Sequence, residues 1–150
     1  MNFFKKIKVY IFQSDFEFKK LLVKAFIFSM TVRFMMLFVK YKRYEKRLGK
    51  RGAADNYTLN EKEFAIAHNI AKALNGVSNY TLWESKCMVQ AVSAKWMLAK
   101  YSIPSTIYFG VAKDEENAAK LKAHAWLKVG DCIVTGRAGH EKYKVVNFYS

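Results

Sequence analysis

The chain has 150 residues, 52% of them hydrophobic, which is enough for one domain with a real core and excludes general disorder. Its two cysteines, Cys87 and Cys132, exclude a disulfide framework and fit a reducing, cytoplasmic setting. The net charge of +14 is uneven: residues 1–52 hold 14 Lys/Arg against three acids, residues 53–150 hold 12 against nine. That front half suits an anionic surface, whereas nucleic acid is disfavoured because no zinc-finger, RNP-like or basic-zipper pattern accompanies the charge.

In chain order, residues 1–52 read as a basic, amphipathic helical segment and residues 53–150 as the domain core. The first dozen residues, with Phe3, Phe4, Lys5, Lys6 and Lys8, lack a small-residue cleavage site, so no secretory signal is expected. Residues 15–48 read as a helix or helix pair, opened by the acids Asp15 and Glu17. From Ala25 to Val39 the run is apolar apart from Ser29, Thr31 and Arg33, and then turns basic. It is shorter than the roughly 20 residues that a membrane span needs, and Arg33 is costly in hydrocarbon. Three fates stay open for it: a helix buried against the domain, a peripheral contact with an anionic membrane, or a span.

Gly49 is a plausible helix C-cap. Asn60 reads as the N-cap of a second helix, with Glu61 and Glu63 in its first turn and Phe64, Ala67, Ala71 and Leu74 at helical spacing. His68, beside that stripe, reads as a boundary histidine. Thr81 to Glu84 fits a capping box for a third helix running to about Tyr101. That helix is so widely apolar that protein must surround it, and Pro104 prevents its continuation. Thr106 to Val111, Ala123 to Val129, Cys132 to Thr135 and Tyr143 to Tyr149 read as strands, the middle two joined by the two-residue turn Gly130-Asp131. Helices followed by an antiparallel sheet make an α+β fold.

Two residues carry chemistry in this layout. Cys87 sits early in the third helix, where the positive helix end favours a thiolate, and His124 heads a following strand as a general base. A free cysteine is ordinarily a small buried hydrophobe, and Cys132, which flanks the hairpin, reads as one; Trp126 reads as core. No metal or cofactor is expected, since Cys87, His124, Cys132 and His140 lack paired ligand spacing. Backbone N–H groups near Cys87, with Trp83 or Gln90 as helpers, would serve a developing oxyanion. For the group that orients His124, hairpin arithmetic sets the imidazole opposite Arg137 and beside Gly136. It puts Asp131 about 17–23 Å away, at the far end of the strand. The Gly136–His140 turn returns to the His124 end, which makes Glu141 or His140 the nearer candidate, with a backbone carbonyl or a residue from the front half as the alternatives.

Cys87, the Tyr101-Ser102-Ile103-Pro104 break, Phe109-Gly110-Val111 and His124-Ala125-Trp126-Leu127 together resemble the free-standing leader peptidase of lasso-peptide biosynthesis, a transglutaminase-like family. Gly130-Asp131-Cys132-Ile133-Val134-Thr135-Gly136 and Gly139-His140-Glu141 strengthen the resemblance, which covers residues 80–150 well and the front half only in character. It implies a bacterial cysteine peptidase with a transglutaminase/papain-like core, cutting the leader from a ribosomal precursor peptide. Cys87 would be the nucleophile and His124 the base. The implied partners are the precursor, a small leader-recognition protein and an ATP-dependent macrolactam cyclase. Relatives place an Asp where this chain has Gly136. That departure leaves a non-catalytic adaptor or an acyltransferase on the same scaffold as alternatives.

Overall fold

The computed structural model describes residues 15–53, 56–79, 86–115, 117 and 119–150. Helix α1 spans Phe16–Phe38, with the Asp15 side chain accepting from the Phe16 N–H at its start. It stops where Val39 turns extended, and the short helix α2 (Tyr41–Tyr44) and a 3-10 turn (Glu45–Arg47) follow. The expected helical run over 15–48 is therefore one long helix and two short turns.

Helix α3 (Glu61–Ser78) starts on a reciprocal cap. Asn60 Oδ1 accepts from the Glu63 N–H at 2.9 Å, and Glu63 Oε2 accepts from the Asn60 N–H at 3.0 Å. The other oxygen of Glu63 accepts from the Tyr57 hydroxyl at 2.5 Å. These bonds, that from Tyr57 foremost, hold the Glu63 carboxyl below its usual range, and the same bond raises the Tyr57 hydroxyl.

Helix α4 (Lys86–Ala99) is enclosed, with Val89, Ala91, Val92, Ser93, Ala94 and Leu98 all buried. The Lys95 ammonium donates to the Ser105 carbonyl and fastens the helix to the loop beyond Pro104. The capping box expected over Thr81–Glu84 lies outside the described residues.

Four strands follow: β1 (Thr106–Lys113), β2 (Leu121–Val129), β3 (Cys132–Thr135) and β4 (Lys144–Tyr149), in the antiparallel order β3-β2-β1-β4. Side chains alternate between the two faces of the sheet. Ile107, Ala125, Leu127 and Val129 join Ile70 and Leu74 of α3, Val92 and Leu98 of α4 and Val32 of α1 in one core. Helix α1 packs against both α3 and α4, so the basic front segment contributes to that core. Residues 50–52 pair with the outer edge of β4, through Lys50 and Ser150 exchanging backbone bonds at 2.8 and 3.1 Å. The molecule is thus the α+β arrangement expected from the sequence, with helices on one face of a small antiparallel sheet.

Candidate functional site

Cys87 is the second described residue of α4 and is half-buried and unoxidised, as is Cys132. N–H groups in a helix's first turn have no intrahelical partner, and the dipole end favours negative charge beside them. Gln90, one turn on, is already engaged: its side-chain amide donates to Ser78 Oγ of α3 at 2.7 Å. That bond uses one of the two amide hydrogens, and Trp83 lies outside the described residues.

Cys87 lies at the start of the described part of α4 and His124 on β2. Strand β1 follows α4 after the Tyr101–Pro104 break, and β2 is antiparallel to β1. From the joint, Cys87 lies about 18 Å back along the helix at 1.5 Å per residue. His124 lies about 13 Å back along its strand from Lys128, which faces Thr106. Across the sheet the two differ. Ala125, Leu127 and Val129 present the face against which α4 packs, whereas His124 shares the other face with Trp126. Among the described residues no hydrogen bond joins the Cys87 thiol to the His124 ring.

The outer face holds a second, aromatic cluster. The His124 ring lies 5.9 Å from Trp126 and 5.0 Å from Tyr143, and Trp126 stacks on Tyr108 at 5.7 Å. Gly110, paired with His124 across the sheet, makes room for it, since a Cβ there would come within 2.9 Å of the Trp126 ring and 2.8 Å of Tyr143 Cβ. Trp126 is buried, as expected, but in this cluster and not in the main core.

The orienting group is the Gly136 carbonyl, which lies 2.8 Å from His124 Nε2. A carbonyl only accepts, so Nε2 carries the proton and Nδ1 keeps the lone pair that a base requires. Two features of β3 bring this carbonyl into place. A bulge puts Thr135, not Val134, opposite Leu127, and the ladder ends there. Gly136 then turns with φ +74°, lying so close over β2 that a Cβ would be 2.5 Å from the Ala125 carbonyl oxygen. The hairpin arithmetic foresaw Gly136 beside His124 but not the bulge, because nothing in Ile133-Val134 marks an extra residue. Glu141, the acid expected there, has its carboxylate 3.3 Å from His140 Nδ1, within the 3-10 turn His140–Lys142, and the His124 Nε2 bond goes to the Gly136 carbonyl.

Beside Tyr143 on this end of the sheet lies a cleft of about 560 Å³, lined by Lys113, Lys122, Lys142 and Glu115. Lys142 pairs with Glu115 at 3.0 Å and Lys122 with Asp114 at 2.9 Å, and these carboxylates raise both ammonium groups. A larger cleft of about 650 Å³ between α1 and α3 has neither Cys87 nor His124 in its wall. The remaining histidine and cysteine also differ from expectation. His68 is exposed and stacks on Phe64 at 6.3 Å, and Cys132 is half-buried beside it in the wall of a shallow hollow.

No curated protein and no solved structure matches the chain. Residues 29–147 match the model of the transglutaminase-like superfamily, a range that begins inside α1, includes β1 to β3 and ends within β4. Such a match over most of the chain, on an α+β fold with a cysteine on α4, makes this protein a member of the transglutaminase-like superfamily.

Proposed function

We propose that this protein is a cysteine peptidase that removes the leader from a ribosomally made, lasso-type precursor peptide. The observation that carries the reading is the transglutaminase-like match over residues 29–147, which takes in both Cys87 on α4 and the carbonyl-held imidazole of His124 on β2. In this mechanism Cys87 Sγ attacks the scissile carbonyl and its proton passes to His124 Nδ1. Backbone N–H groups near Cys87 stabilise the tetrahedral oxyanion. The imidazolium returns the proton to the departing amine of the core peptide, and water then releases the leader from the Cys87 thioester. This step requires the two side chains to approach around the end of β2, because His124 stands on the face away from α4. The precursor, a leader-recognition protein and a macrolactam cyclase are the partners this reading requires.

One observation favours a second reading. His124 stands on the Trp126 face, away from α4, and holds a carbonyl in place of a carboxylate. An adaptor that grips a precursor without cutting it would tolerate that arrangement. An acyltransferase would share the thioester and differ only in using an amine where the peptidase uses water.

Reconstitution with precursor and recognition protein tests the proposal. The wild-type protein should yield free leader with a carboxylate end by mass spectrometry, and Cys87→Ala should leave the precursor intact while its circular dichroism is unchanged. Full processing by Cys87→Ala refutes the peptidase, and a leader conjugated to an amine identifies the transferase.

A further inference from the structure

Helix α1 is apolar on both faces, and the protein covers one of them. Ala25, Ser29, Val32 and Met35 are buried against the rest of the molecule. At 100° per residue, the exposed Val23, Phe26, Ile27, Met30, Phe34 and Leu37 fall within an arc of about 100° on the opposite side. Phe38, 70% exposed, extends that stripe to the end of the helix. The same helix is long and apolar enough to cross a membrane by composition. Crossing would strip Ala25, Ser29, Val32 and Met35 from the core or draw α3 and α4 into hydrocarbon, so its packing excludes a span.

Charge identifies what covers the stripe. Immediately after the helix, residues 40–51 carry seven Lys/Arg against Glu45 alone, and all seven are exposed. A second copy of this chain would bring the same cations against themselves. An uncharged surface would leave them unanswered. An apolar stripe continuous with a polybasic run matches the boundary of an anionic bilayer, with hydrocarbon for the one and headgroup phosphates for the other. We infer that α1 lies in the plane of an anionic membrane surface. Its outer stripe sits at the acyl boundary and residues 40–51 sit among the headgroups. The inference goes beyond the peptidase reading and does not depend on it.

Sedimentation of the full-length protein with vesicles tests this. With phosphatidylglycerol–phosphatidylcholine vesicles at 50 mM salt, most of the protein should pellet. At least a tenfold loss of binding is expected with pure phosphatidylcholine and with 0.5 M salt. Phe34→Glu/Phe38→Glu, at exposed positions outside the core and the site, should lower binding at least tenfold with an unchanged dichroism spectrum. Lys42→Gln/Arg43→Gln should weaken it without disturbing the apolar face. Failure of the wild-type protein to pellet with anionic vesicles overturns the inference. So does undiminished pelleting of the Phe34→Glu/Phe38→Glu protein. A wild-type dimer that the same substitutions dissociate, with no vesicle binding, assigns the stripe to a second copy and equally overturns it.

Discussion

The imidazole of His124 is held by a backbone atom, and that makes Gly136 a residue with no allowed replacement. Its φ of +74° and the 2.5 Å approach of a notional Cβ to the Ala125 carbonyl both act against any side chain. Gly136→Ala is expected to lose more than about 1 kcal/mol of stability, and to slow cleavage because the acceptor for Nε2 moves. Thermal melts and single-turnover cleavage measure the two effects. Glu141→Gln should leave cleavage near the wild-type rate, since that carboxylate serves His140; a large loss would return Glu141 to the site. The same residue shows what sequence can and cannot convey. An absent Asp is legible at Gly136, but the carbonyl that takes its place is not, because any residue has one and only the bulge at Leu127/Lys128 aims it.

At the scale of elements, the Asn60 cap and the hairpin are legible in local sequence. Asn60 with Glu63 is a reciprocal cap, and Val129 faces Cys132 across Gly130-Asp131 as the two-residue turn requires. Asn60→Ala should cost about 1 kcal/mol in chemical denaturation. The Glu63 carboxyl titrates below its ordinary value of 4.5, so its contribution is complete above that value and fades as pH falls through the lower folded one. The stability difference between wild type and Glu63→Gln should therefore shrink on acidification; a difference that grew would reverse the sign of the argument. Other element-level features depended on contacts from afar. The break at Val39 has no proline or glycine to mark it. Helix α1's outer stripe looks the same in sequence as its inner one, since both are apolar and only tertiary packing separates them.

On the scale of the whole molecule, the front segment and the C-terminal strand are joined through one buried hydroxyl. Tyr149 Oη donates to Glu45 Oε1 at 2.7 Å, meets the Tyr41 hydroxyl at 2.9 Å and accepts from Asn147 Nδ2 at 2.7 Å. Burial, with the bonds to Tyr41 and Glu45, pushes that hydroxyl far above the usual tyrosine range. Tyr149→Phe strands all three partners and should cost about 1–3 kcal/mol in urea denaturation; an unchanged midpoint would show the network to be incidental. The larger unit it stabilises carries the central claim, that Cys87 and His124 act as one site although they start on different faces of the sheet. The direct measurement uses a Cys132→Ala background, so that Cys87 is the single thiol, and follows its alkylation by iodoacetamide at pH 6. The account predicts faster reaction than glutathione under the same conditions, and on the order of a hundredfold slowing by His124→Ala. Equal rates with and without the imidazole would contradict it.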